Sequence, residues 1–268
     1  MTRICSLTEL AAAVPDGAKV AIPPFYASPA MAATRELLRR GARDLHLVCV
    51  PQSDIQADLL IGAGAVRTVE TSAVTLGELG PAPRFTAAVR SGAVRLVDAT
   101  CPAIHAGLAA AQKGVPFMPI RGILGSDLLA HRPDWKVIEN PFAAGDAIVA
   151  VAAIRPDVAL FHAALADREG NVFVGRSREL LNMAQASATS CVTVEEIADG
   201  DLLADPARSG AVVPAIYVGR VAVAHRGAAP HALAGVYDAD GAFLARYAAA
   251  ARSEAGFAAF LDEWLRAP

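Results

Sequence analysis

The feature that most constrains this chain is its alternation of two hydrophobic periods. Short, nearly continuous apolar runs at Lys19–Ile22, Leu45–Val50, Val66–Val69, Val94–Asp98 and Val115–Met118 are separated by segments with helical spacing and helix-end residues. Strands alternating with helices at this interval predict parallel βαβ units. Continuous apolar strands are those buried on both faces. The expected fold is therefore α/β, an open, mainly parallel sheet with helices on both faces.

Helix ends support this reading. Ser6-Leu7-Thr8-Glu9 is a capping box and predicts a helix to about Ala13. Ser28, Pro29, Arg39-Arg40 and Gly41 predict a second helix with Ser28 at its N-cap. Helices are also expected at Ile55–Ile61, Pro83–Ser91, Ala103–Lys113 and Arg178–Ala186. Further strands are expected at Ile148–Ala153, Val158–Phe161, Val172–Val174, Cys191–Val194, Ala211–Ile216 and Val221–Ala224, with a turn at Asp167–Asn171. Phe257, Phe260, Leu261, Trp264 and Leu265 mark an amphipathic C-terminal helix. Periodicity lapses from Arg121 to Asp146, and a loop of that length inside a compact domain is usually functional. With no linker or repeat, residues 1–268 are expected to form one domain.

Composition narrows the function. The chain carries 24 Lys+Arg against 27 Asp+Glu, which disfavours nucleic acid as a partner. The longest stretches without a charged residue, Val20–Thr34 and Leu180–Val194, are 15 residues. A membrane span needs about 20 apolar residues, so none is expected. No secretory leader is evident, and the four cysteines lack metal or disulfide spacing, so reduced, mostly buried thiols in the cytoplasm are expected. Apolar residues make up 54%, or about 60% once glycine is counted and tyrosine dropped, against about 45–50% for an average chain. Either the core is large or part of the surface belongs against another protein. No G-x-G-x-x-G, Walker A loop, G-x-S-x-G or H-E-x-x-H is present, and the six histidines fall singly. No metal site or resident cofactor is expected.

Six segments, in order, resemble the alpha subunits of family I CoA-transferases, especially the glutaconate CoA-transferase type. They are Asp16–Ile22, Glu36–Leu45, Asp58–Gly64, Ser72–Pro83, Gly114–Pro119 and Val192–Ile197. The resemblance covers roughly residues 15–200. It implies a two-subunit enzyme, an α2β2 assembly with a beta-type partner, that moves CoA from an acyl-CoA to a carboxylic acid. In that family a glutamate of the beta chain attacks the thioester and becomes a glutamyl-CoA thioester, so CoA is a substrate and this chain is half of the site. The excess apolar surface is then expected at the subunit interface, and the isolated chain should self-associate.

Two alternatives accompany that reading. Related alpha chains belong to hydrolases or ring-cleaving enzymes acting on steroid-type CoA thioesters, with the catalytic acid on the alpha chain. Its counterpart here falls near Asp98, a residue one methylene shorter than Glu. Misplacing a reacting oxygen by about 1 Å can cost about a hundredfold in rate, which disfavours this reading. The second alternative is a non-catalytic small-molecule sensor. The chain also departs from its relatives at Pro23-Pro24-Phe25, where many have Gly-Gly-Phe. Proline offers no amide donor to an anion, which leaves the acyl group open.

Candidate substrate-binding residues are Ser72 and Glu78, placed after a parallel strand, where ligands bind in open sheets. Ser72 would bond an acyl carboxylate or carbonyl, and Glu78 would orient it or cap the following helix. Arg121, Ser126 and Asp127 form the polar part of the long loop. Arg121 would meet a carboxylate or CoA phosphate, or pair with an aspartate to fix the loop. Asp98 is a weak local catalytic candidate, with His105 nearby; an N-cap role for Asp98 or Thr100 is the structural alternative. Glu195 and Glu196 end a strand facing opposite sides, so at most one can enter a pocket.

Overall fold

The computed structural model describes residues 2–267. Eight strands form the main path of a ten-stranded sheet. In spatial order they are Arg3–Ile4, Val218–Val223, Thr189–Ala198, Val158–Asp167, Lys19–Ile22, Leu45–Cys49, Val66–Thr71 and Arg95–Asp98. Every neighbouring pair along this path is parallel. Val172–Phe173 folds back antiparallel on the end of Val158–Asp167 through the expected turn, and Val212–Val213 pairs with it.

Alternation along the strands fills two cores. Val20, Ile22, Leu45, Leu47, Cys49, Val158 and Leu160 face one side and pack with Leu10, Leu37, Leu60 and Val94. Ala21, Val48, Ala159, Phe161, Val192 and Val221 face the other and pack with Ile104, Leu108, Leu180 and Met183. This is the two-sided burial that continuous apolar strands require. A third cluster joins Met31, Ile55 and Leu59 to Tyr247, Phe257, Phe260 and Trp264 of the last two helices, Gly241–Ala250 and Glu254–Arg266.

Three expectations need correction. The second helix spans Met31–Arg39, with Ala30 at its N-cap, and not from Ser28. Ser28 instead ends a 3₁₀ turn, Phe25–Ala27, in the left-handed region at φ 58°. Val115–Met118 and Ile148–Ala153 do not extend the parallel sheet. The observed strands, Phe117–Ile120 and Ala147–Ala152, form a separate antiparallel sheet with Lys136–Glu139. Finally, the 121–146 segment is not bare loop, because it contains the Leu128–His131 helix as well as that third strand.

The small sheet packs on the large one through Val149, Val151 and Trp135, and ion pairs add to that contact. Glu70, within the Val66–Thr71 strand and 3% exposed, pairs with Arg132 at 3.0 Å and Lys19 at 2.9 Å. Arg132 also donates to Asp134 and to the Asp98 carbonyl, and its guanidinium lies 4.0 Å over the Trp135 ring. Among the described residues, no helix is long and apolar enough to cross a membrane.

Candidate active site

Ligands of open α/β sheets collect at the carboxyl ends of the strands. Here Ile22 leads into Pro23-Pro24 and the Phe25–Ala27 turn, Thr71 into Ser72, and Asp98 into the Cys101–Gln112 helix. The Ser72 hydroxyl donates to the Pro51 carbonyl at 2.8 Å and lies 3.2 Å from the Cys101 sulfur. Cys101 is exposed at the start of its helix, whose N-cap is Thr100. Thus Ser72 and Cys101 come together from adjoining strand ends.

A cavity of about 370 Å³ opens on the same edge. One wall is Tyr26 and Ser28. The Phe173–Ser177 segment with Leu180, and Leu233–Gly235, also line it. The Tyr26 hydroxyl is pushed above its usual pKa by burial, with Glu179 and Cys101 near enough to add to the rise. Left-handed Ser28, whose conformation costs of order 1–3 kcal/mol, accepts the His162 amide at 2.8 Å. That bond ties the strained turn to the strand beneath it.

The floor is His162, fully buried. Its Nδ1 lies 2.9 Å from Thr193 Oγ1, and its Nε2 lies 2.9 Å from Glu195 Oε1. Glu195 also accepts from Tyr237 Oη at 3.0 Å and from the amides of Arg226 and Gly227 at 2.8 and 3.1 Å. Burial alone would raise the Glu195 pKa, but these donors outweigh it and bring it to about 2. An ionised Glu195 can only accept, so His162 donates to it from Nε2, while Nδ1 shares a hydrogen bond with Thr193 Oγ1. Gly227 is required here, since a Cβ would fall 2.6 Å from the imidazole. The pair therefore holds the 226–237 strap that carries Leu233–Gly235 of the cavity lining.

The remaining expected residues do not line this cavity. Asp98 ends the exposed edge strand, with Oδ1 accepting the Ala99 amide. Glu78 is exposed on the Gly77–Leu79 turn, and the following helix has no side-chain cap. Arg121 makes a two-pronged pair with Asp146, not Asp127, on the small sheet. Ser126 Oγ accepts the Leu128 amide, while Asp127 occupies the N-cap position of that short helix without bonding it. Glu195 turns inward and Glu196 is exposed, as alternation requires.

Sequence reasoning missed Tyr26, Ser28, Arg176, Ser177 and Tyr237, whose grouping depends on long-range strand order. His162 and Glu195 did carry a signal. They lie on strands that parallel crossovers place side by side, His162 being in register with Thr193. Among the described residues, no group of three His, Cys, Asp or Glu is placed to hold a metal.

Residues 4–224 match the family model described as Coenzyme A transferase. The chain is 37% identical to the A-type subunit of 3-oxoadipate CoA-transferase from Pseudomonas knackmussii, over 94% of this chain and 89% of that one. It is 32% identical to the A-type subunit of glutaconate CoA-transferase from Acidaminococcus fermentans, over 87% and 78%. The crystal structure of glutaconate CoA-transferase from that organism superposes with a TM-score of 0.90 at 27% identity, covering 98% of this chain and 89% of that one. A variant of the decarboxylase AibA/AibB superposes at 0.86 with 31% identity and 99% of both chains covered. On these grounds, this chain belongs to the coenzyme A transferase family.

Proposed function

We propose that the chain is the A-type subunit of a two-subunit CoA-transferase, assembled as α2β2 in the cytoplasm, with residues 1–268 acting as one domain. It moves CoA from an acyl-CoA to a free carboxylic acid and needs no resident cofactor. The observation that carries this reading is the composition of the cavity. It lies at the catalytic edge of the sheet and its lining contains no Asp or Glu. Glu195, beneath it, is consumed by four donors.

The nucleophile then comes from the partner. Its glutamate attacks the thioester carbonyl and expels CoA thiolate, which returns to the resulting anhydride, releases the first acid and leaves a glutamyl-CoA thioester. The acceptor carboxylate reverses these steps. Ser72, beside Cys101, turns its hydroxyl from the Pro51 carbonyl to the acyl oxygen, and Glu78 closes the rim toward the partner. Arg121, with Ser126 and Asp127, meets the CoA moiety from the small sheet. Asp98, engaged by Ala99, shapes the strand end.

The test uses the complex co-expressed with a beta-type chain. CoA should pass from acyl-CoA to an added acid, and borohydride during turnover should reduce a glutamate of the partner. A reduced glutamate on this chain, or loss of CoA to water or of CO2 without an acceptor acid, would overturn the reading.

A further inference from the structure

A second cavity, of about 300 Å³, shares no lining residue with the first. It lies where the start of the 226–237 strap meets the helices Met31–Arg39 and Glu254–Arg266. Two joints fix its walls. The Ala32 amide donates to the Gly227 carbonyl at 2.9 Å, and Arg39 Nε donates to the Leu265 carbonyl at 2.8 Å. Arg35 stands one turn after Ala32 and one turn before Arg39, so it shares their helix face and lies between the two joints. Arg226 and Trp264, the chain neighbours of Gly227 and Leu265, line the cavity with it.

The cations of this cavity lack counter-charges. Arg35 is half-buried, and its Nε is buried without a hydrogen-bond partner. Its guanidinium lies 5.9 Å over the Trp264 ring and makes no ion pair among the described residues; Glu36 beside it is held by Arg39. Burial, with Arg39 adding to it, depresses the Arg35 pKa. Arg226, in the left-handed region at φ 52°, spends its amide on Glu195 and lays its guanidinium 4.7 Å over the Tyr237 ring. It too makes no ion pair among the described residues. His225 adds a third basic group. Asp240 is the single carboxylate of the lining, and its Oδ1 is taken by the Phe243 amide at 2.9 Å.

We infer that this cavity is a binding site for a phosphate monoester, held between Arg35 and Arg226 and separate from the acyl site. Such a group carries about −1.5 to −2 charges at pH 7 and three acceptor oxygens. That matches two guanidiniums, each able to hold a pair of oxygens in a two-pronged bond, whereas a carboxylate would occupy one and leave the other bare. Partial burial of Arg35 weakens screening by salt, so binding should persist at physiological ionic strength. The volume is at the low end of the ~300–1,000 Å³ usual for ligand sites, which leaves room for the phosphate and a short organic tail.

The test is calorimetry on the two-subunit complex with two phosphate monoesters. Glycerol 3-phosphate represents a free metabolite, and 3′,5′-ADP represents the phosphate end of a coenzyme; the tighter of the two names the source. Arg35→Gln and Arg226→Gln should each weaken that binding tenfold or more, and Arg35→Lys should recover part of the loss. Acetate should bind at least tenfold more weakly than either. Absence of binding by both monoesters, binding unchanged in either glutamine variant, or acetate binding as tightly overturns the inference.

Thermal unfolding gives a second readout. The tighter monoester should raise the wild-type Tm, because a ligand of the native state stabilises it by mass action, and should leave the Tm of Arg226→Gln unmoved. Arg226 is exposed, so this variant keeps its fold and decides the matter even where Arg35→Gln does not fold. An equal rise in Tm for wild type and Arg226→Gln overturns the inference.

Discussion

Glu195 Oε1 lies 2.9 Å from His162 Nε2, and the same carboxylate holds Tyr237 and two amides of the strap beside the cavity. Hydrogen bonds to a charged group contribute about 1.5–3 kcal/mol each and do not add fully. Glu195→Ala should therefore cost about 2–4 kcal/mol in urea unfolding. It should also weaken acid binding, because Leu233–Gly235 lose their anchor. An unchanged urea midpoint would show that the network does not hold the strap.

The same group sets a pH dependence. Glu195 and Glu70 are each brought to about 2 in the fold, burial being outweighed at Glu70 by His46, Lys19 and Arg132. In the unfolded chain a glutamate titrates near about 4.3. A folded pKa below the unfolded one means that the unfolded chain binds protons first as pH falls. The stabilisation is complete above about pH 4.3 and is lost progressively toward about pH 2. Urea midpoints measured from pH 7 to 2 should fall over that interval, and Glu195→Gln should fall less steeply. Equal slopes would remove Glu195 from the account.

Arg132 joins the two sheets. Its guanidinium is buried among Glu70, Asp134, the Asp98 carbonyl and the Trp135 ring. Removing one partner of a buried ion pair costs about 3–5 kcal/mol, since the other charge stays buried. Arg132→Ala should show a loss of this size, and Arg132→Lys should recover only part of it, because an ammonium lacks the planar fork. Full recovery by lysine would mean that charge alone matters here.

Thiol chemistry separates the cysteines. Burial pushes Cys49 and Cys191 up to about 12, and the nucleophile is the thiolate. Cys101 is exposed beside Ser72. Iodoacetamide followed by peptide mass mapping should mark Cys101 first and leave Cys49 and Cys191 unlabelled until urea is added. Acyl-CoA should slow Cys101 labelling in the two-subunit complex. Early labelling of Cys49 would contradict the packing of the Leu45–Cys49 strand.

What the sequence discloses differs by scale. Lys19–Ile22, Pro83–Ser91 and Arg178–Ala186 could be read residue by residue, because their periods and end residues are local. Ser28 misled because serine before proline has the chemistry of an N-cap, yet here its carbonyl is taken by His162, a contact set by sheet order. The Phe117–Ile120 strand looked like a continuation of the parallel series. Its antiparallel partner, Ala147–Ala152, lies beyond a segment with no clear period. The cavity was hidden for the same reason, since Tyr26, His162, Arg176 and Leu233 come from four distant stretches.

The C-terminal helices give the last expectation. Tyr247 donates to Asp58 Oδ2 at 2.7 Å, and the Phe85 amide donates to Oδ1 at 2.6 Å, so a fully buried carboxylate links the last helices to the Ile55–Gly62 helix. Burial raises the Asp58 pKa, and these two donors only partly oppose it. At neutral pH the carboxylate depends on both donors, and leaving a buried acceptor short of one costs about 1–3 kcal/mol. Tyr247→Phe removes one hydroxyl and little else, so it should lower stability by that amount at pH 7. As pH falls through the raised Asp58 pKa the group becomes neutral and needs the donor less, so the loss should shrink. Asp58→Asn, which carries no charge at any pH, should give the same stability difference from its own Tyr247→Phe double variant at both pH values. If the Tyr247→Phe loss is equally large at low pH, the bond to an ionised Asp58 is not what docks these helices.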